Sequence, residues 1–187
     1  MLFELLCFLP VLLPAQGAAQ GYETVGAARA AVTPSMAYPG YLRPVTDAAF
    51  GMPFMRVTDP GRQMLPGIFC KPAYCTHRYS SSQAWNADQS LLLIANGCSG
   101  FCFLDGSTYA PLFHRTVPNE CEWHPVDPAL MICVAGNEIY TWNPRLDIRT
   151  AVYVFSEYEH LQFGPYKGNP SKDGTVIRGN FTQGIHA

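Results

Sequence analysis

The sequence predicts an all-β fold, read as a partial β-propeller of about two and a half four-stranded antiparallel blades, and three observations carry that prediction. The first is a stretch of about forty residues that occurs twice in succession, as SSSQAWNADQSLLLIANGCSGFCFLDGSTYAPLFHRTV and then PNECEWHPVDPALMICVAGNEIYTWNPRLDIRTAVYVF. Trp85 maps onto Trp123, Asp88 onto Asp127, Gly97 onto Gly136 and Asp105 onto Asn143, at offsets of 38 or 39. The second is the run of short apolar segments bounded by turn residues from Pro53 onward, the pattern of short strands. The third is composition: 48% apolar residues with 16 Gly and 16 Pro describe a turn-rich chain with ample core material. A repeat of this length made of short strands is the signature of a propeller blade.

The elements follow in order. Residues 1–19 read as a signal peptide, with an apolar stretch from Leu5 to Leu13 and small residues Gly17-Ala18-Ala19 ahead of a cleavage point. The stretch is too short to span a bilayer as a helix, and Pro10 and Pro14 oppose one. The segment departs from the signal pattern in carrying Glu4 and no Lys or Arg before its apolar run; an apolar strand or a tether is the alternative. Residues 20–50, rich in Ala, Gly and Pro, read as a linker or irregular segment, and 51–187 as the incomplete propeller domain. FMRVTD at 54–59 matches the outer strands LFHRTV and VYVFSE and reads as the last strand of an earlier blade. The first copy parses into strands at 78–86, 91–95, 101–105 and 110–117, and the second into 119–124, 130–135, 138–143 and 150–155. A third copy opens with YEHLQF at 158–163, Phe163 taking the place of Trp123, and continues through a long connection to a strand at 175–177. The remaining RGNFTQGIHA supplies too little to finish the blade. Propellers close with about four to eight blades, so the chain reads as part of a longer protein, or as one that builds its ring from several chains.

Seven cysteines become six if Cys7 leaves with the signal, and an even count in an exported chain favours disulfides. A hairpin centred on Asp127 sets Cys121 opposite Cys133 and Trp123 opposite Met131, close enough for a cross-strand bond; two buried thiols are the alternative. Cys98 and Cys102 bracket a tight hairpin connection, and Cys70 and Cys75 bracket KPAY in the insertion between blades. Six cysteines allow fifteen connectivities, and these spacings do not fit the usual zinc pairs. The expected location is periplasmic or secreted, with no membrane association after signal cleavage.

A net charge of −2 and no basic run argue against nucleic acid as a partner. Propeller ligands bind at the channel mouth, so an oligosaccharide or a protein there is the expected partner, and polar residues of the inner strands are the candidates. His77, Arg78 and Glu122 are the substrate-binding candidates, while His160 and Gln162, alternating onto one strand face, are the candidate metal ligands for Mn or Ca. Aligning Trp85, Trp123 and Phe163 superposes Ala84, Glu122 and Gln162. The bland alternative is that these side chains hydrate a channel or bond a neighbouring blade. His124, before Pro125, reads as structural, and His114 and His186 carry no role. The tryptophans suit sugar stacking, but repeat-equivalent positions place Trp85 and Trp123 in the core between blades, and Trp142 with them. Asn180-Phe181-Thr182 has the form of a glycosylation site. No G-x-S-x-G, P-loop, dinucleotide-binding or H-E-x-x-H pattern is present, and no catalytic residue is identified.

The texts QAWNADQSLLLI and CEWHPVDPALMICVAGNEIYTWN resemble the TolB-like and WD40-like propeller repeat of bacterial secreted proteins, with Gln89 standing where that repeat has Gly. EWHPVDPALMICVAG followed by EHLQF is similar to the oligogalacturonate lyase family. That resemblance, over about residues 54–177, implies a seven-bladed propeller cleaving pectic oligomers by metal-dependent β-elimination, with His160 and Gln162 in the metal-ligating text. Two functions follow: an exported binding scaffold without activity as an isolated chain, or a metal-dependent lyase whose centre is incomplete here.

Overall fold

The computed structural model describes residues 38–48, 50–79, 82–116, 120–163, 170–177 and 179–182. The signal-like segment 1–19 with Cys7, the 20–50 stretch up to residue 37, and His186 lie outside the described residues. Strands, and no helix, are formed by the described residues. β1 (Val45–Thr46) and β2 (Pro53–Phe54) make a two-residue antiparallel pair, and β3 (Gln63–Leu65) and β4 (Ile68–Phe69) a short hairpin. β5 (Leu91–Ile94), β6 (Phe101–Asp105) and β7 (Pro111–Arg115) form a three-stranded antiparallel sheet. β8 (Glu120–Trp123), β9 (Met131–Ala135), β10 (Glu138–Asn143) and β11 (Ile148–Val154) form a four-stranded antiparallel meander, and β12 (His160–Phe163) pairs with β13 (Gly179–Thr182).

Apolar runs without polar alternation need burial on both faces, and LLLI, FCFL and MICV obtain it. Leu91 and Leu93 of β5, with Phe101 and Phe103 of β6, face Cys121, Trp123, Met131, Cys133, Tyr140 and Trp142 of the four-stranded sheet in one cluster. The alternate residues Leu92, Ile94, Cys102 and Leu104 face the other way, onto Met64 and the Cys70–Cys75 loop. Within the second sheet, Ile132 and Val134 pack on Leu161 and Phe163 of β12. Each sheet thus buries its neighbour in chain order. Phe103 anchors the first junction, its ring edge-on to Trp123 at 5.8 Å and to Trp142 at 6.3 Å. A buried side chain of this kind contributes about 1.5–3 kcal/mol, against about 1 kcal/mol for a hydrogen bond, so packing outweighs the polar links between sheets.

The repeat is written into the turns. Asp88 and Asp127 each accept the backbone N–H two residues on, from Ser90 at 3.0 Å and Ala129 at 2.9 Å. Asp105 and Asn143 close the next equivalent turn, each accepting from the residues two and three positions on. Both turns end in a residue at positive φ, Tyr109 and Asp147. Asp173 accepts from Thr175 in the same way and so marks the third copy.

Several expected elements differ. Among the described residues of the strand expected at 78–86, the pairing is the bridge Trp85↔Leu92. Its sequence, RYSSSQAWN, holds three serines, which compete for backbone hydrogen bonds and suit strands poorly. FMRVTD, read as the last strand of an earlier blade, pairs with the chain just before it: Phe54 with Val45, while Arg56 bridges Tyr41. The insertion read as loop contains the β3–β4 hairpin.

The strand expected at 175–177 is a bridge from Ile177 to Pro170, and the paired strand comes from GNFT, inside the text read as supplying too little to finish the blade. Register then corrects the alignment of Phe163. It pairs with Gly179, six residues beyond Asp173, as Cys121 pairs with Cys133, six beyond Asp127. Phe163 therefore stands where Cys121 stands, and Gln162 stands where Glu120 does, not Glu122.

The three disulfides are Cys70–Cys75, Cys98–Cys102 and Cys121–Cys133. The last joins directly opposed residues with a Cα–Cα distance of 4.0 Å. Three disulfides fit an oxidising, extracellular-type environment. No helix of the described residues is long and apolar enough to cross a membrane.

Candidate functional site

The junction of the first two large sheets opens into a cleft of about 510 Å³, lined by Gln83, Trp85 and Gln89 from the segment before β5 and by Glu122, Trp123 and His124 from the end of β8. Its walls are fixed by side chains that complete shortened pairing. Asn86, almost wholly buried, accepts from the Leu91 N–H at 2.8 Å and donates to Ser90 Oγ at 3.0 Å and to the Pro128 carbonyl at 2.9 Å. One amide thereby closes its own turn and ties it to the turn of the next sheet. The Trp123 indole N–H donates to the Ala84 carbonyl at 3.2 Å, adding a second tie.

Trp85 and Trp123 occupy equivalent repeat positions but differ in role. Trp123 is 4% exposed and belongs to the shared core. Trp85 is only partly buried: it packs against Leu92 and its neighbours and also lines the cleft. The sequence reading placed both in the core.

His124 Nδ1 accepts the backbone N–H groups of Val126 and Asp127, at 3.2 and 2.9 Å, which leaves Nε2 as the N–H position. The ring rests against Gly174, where an added Cβ would meet it at 2.7 Å. Its turn role is the one the sequence suggested, and its position at the cleft was not foreseen.

Of the substrate-binding candidates, Arg78 and Glu122 meet and His77 stands apart. Arg78 Nη1 donates to the Cys121 carbonyl at 2.6 Å and to Glu122 Oε1 at 3.3 Å, and Nη2 lies 3.6 Å from Glu120. Glu122, 6% exposed, also accepts from Ser82 Oγ at 3.3 Å. Glu120 accepts the Phe163 N–H at 3.0 Å, so the ion pairs continue to the third sheet. Asn96 holds the Arg78 segment by donating to the His77 and Arg78 carbonyls. The His77 side chain is exposed and does not line the cleft. At the far end of the same junction, Arg115 donates to the Pro144 and Arg145 carbonyls, each at 2.9 Å. The two arginines thus clamp the sheets at separate points.

The metal candidates His160 and Gln162 share the exposed face of β12, opposite buried Leu161 and Phe163. Two side chains on an open face fall short of the six to eight oxygen ligands Ca²⁺ takes. Among the described residues, no group of three or more His, Cys, Asp or Glu gathers to hold a metal ion.

The chain matches no known protein family, no curated protein and no solved structure.

Proposed function

We propose that this chain is an exported ligand-binding module, built from propeller-like sheets, that holds its ligand in the Trp85–His124 cleft and does no chemistry on it. The observation that carries this reading is the cleft itself: a sizeable concavity between two sheets, with a partly exposed aromatic residue, surrounded by polar groups. The disulfides and the multiple ties across the junction support it, because a pre-formed rigid site loses less entropy when it binds. The repeated turns and the burial of each sheet by the next support a blade-like arrangement.

The alternative, a metal-dependent lyase acting on uronate oligosaccharides, needs a cation for the acid group, a base and a metal. Arg78, in contact with the lining residue Glu122, is already bound to a backbone carbonyl and two carboxylates. The deciding experiment incubates the purified chain with trigalacturonate and Mn²⁺ or Ca²⁺ and follows absorbance of the unsaturated product. No release above the protein-free control is expected. Turnover that disappears in His160→Ala would overturn the binding-module reading.

A further inference from the structure

We infer that the cleft takes a neutral, hydroxyl-rich sugar ring, stacked on Trp85. This inference rests on the binding-module reading and names the ligand class of that site. The lining decides the chemistry. Among the described residues no Lys or Arg lines the cleft, and the one carboxylate that does, Glu122, is held by Arg78 and Ser82. Glu122 already answers Arg78, and no described cation lines the cleft, so an acidic sugar would find no counter-charge there and would be disfavoured.

The remaining polar groups match hydroxyls. Gln83 and Gln89 are exposed amides with both donors and acceptors, and Gln83 uses Oε1 on the Ala84 N–H at 3.0 Å, keeping its amide hydrogens for another partner. His124 Nε2 is the N–H of a ring fixed by two backbone bonds to Nδ1. Amides and an imidazole N–H pair with hydroxyl groups without requiring a charged ligand. Trp85 supplies the apolar part. The C–H face of a pyranose is weakly positive and apolar, and suits the negative π-face of an indole. A flat apolar ligand would waste the polar rim, and a charged one would lack a counter-ion. A ring with a C–H face and a hydroxyl edge uses both.

The test is titration of the ¹⁵N-labelled chain with maltotriose, cellotriose, mannotriose and chitotriose as neutral probes, with trigalacturonate as the acidic probe. The readout is the indole N–H resonance of Trp85 and, for the Trp85 variants, the backbone amide resonances of the lining residues Gln83, Gln89 and His124. The resonances of buried Trp123 and Trp142 report that each variant is folded. At least one neutral trisaccharide should shift the Trp85 signal to saturation. Trp85→Ala should weaken binding by about tenfold or more, and Trp85→Phe by less, because the smaller ring still stacks. Trigalacturonate should bind about tenfold more weakly than the best neutral probe, or not at all.

Absence of a shift with every neutral trisaccharide would overturn the inference, as would equal or tighter binding of trigalacturonate. A Trp85→Ala variant that stays folded and binds undiminished would do the same. A pool of short neutral peptides forms the last arm. If only the peptides move Trp85, the sugar assignment fails while the binding-module reading stands; if nothing in either set does, both fail.

Discussion

The three-stranded sheet β5–β7 and the four-stranded sheet β8–β11 come from two copies of one text and solve the same problem differently. The second has a full inner strand, with Glu120–Trp123 paired residue by residue to Met131–Val134 and locked by Cys121–Cys133. The first has two isolated bridges among its described residues, Trp85↔Leu92 and Thr76↔Asn96, and is held further by Asn86, Arg78 and two nearby disulfides. What the copies share is the aspartate turn and the alternation that sends every second residue into the common cluster. What they do not share is the inner edge. The repeat therefore conserves turn chemistry and core parity, and the irregular inner edge of the first copy leaves Trp85 partly open to the cleft.

The sharpest way to break this comparison is to truncate the two equivalent tryptophans. Trp123→Ala removes a nearly inaccessible ring from the shared core and should cost about 3–5 kcal/mol of unfolding free energy. Trp85→Ala removes a partly exposed ring and should cost less, about 1–2 kcal/mol. Urea unfolding followed by circular dichroism measures both. Equal losses would mean that the copies are structurally alike after all, and that Trp85 is ordinary core.

The disulfides give a smaller effect. Replacing Cys121 and Cys133 together by serine opens a closure with a sequence separation of 12, for which chain entropy gives about 3 kcal/mol. Replacing Cys98 and Cys102 opens a separation of 4, for about 2 kcal/mol. Both sulfur pairs are buried, so poor accommodation of the hydroxyls adds to each loss. The order of the two midpoints is the check. A larger loss at Cys98–Cys102 would show that the first sheet depends on its staple more than the second, contrary to the long-loop argument.

Much of this was legible in the sequence because it is local. The strands at 101–105 and 138–143 follow from alternation between turn residues, and the opposition of Cys121 and Cys133 follows from a hairpin centred on Asp127. The inner edge of the first copy was not legible. Its replacement partners, Pro128 for Asn86 and Cys121 for Arg78, lie more than forty residues away. Phe163 misled for a related reason. An aromatic residue suggested equivalence with tryptophan, whereas the register is set by Asp173, on the far side of the intervening segment 164–169. Glu122 and Arg78 were grouped by residue type as binding groups; the contact between them, which occupies both, depends on how the sheets pack.

The turn aspartates offer the finest test, because they are what the copies hold in common. Hydrogen bonds from Ser171, then from the Thr175 backbone and hydroxyl, pull the Asp173 carboxyl from its ordinary 3.8 down to about 2. Asp88 is lowered chiefly by its bonds from Ser90, and Asp105 chiefly by its bonds from Thr108. A carboxylate whose folded pKa is depressed stabilises the folded state above its unfolded pKa, and that contribution is lost as pH falls through the folded value. For Asp173 the window runs from just under 4 down to about 2. All three groups are solvent-exposed, so screening keeps each contribution small. The amide resonances of Ser90, Thr108 and Thr175 should therefore titrate below pH 4, with Thr175 at the acid end. In Asp173→Asn the acid-dependent change at Thr175 should vanish while those at Ser90 and Thr108 persist. A Thr175 amide that titrated at the ordinary carboxylate value would show that Asp173 does not hold its turn as Asp88 holds the first, and would remove Asp173 as the marker of the third copy.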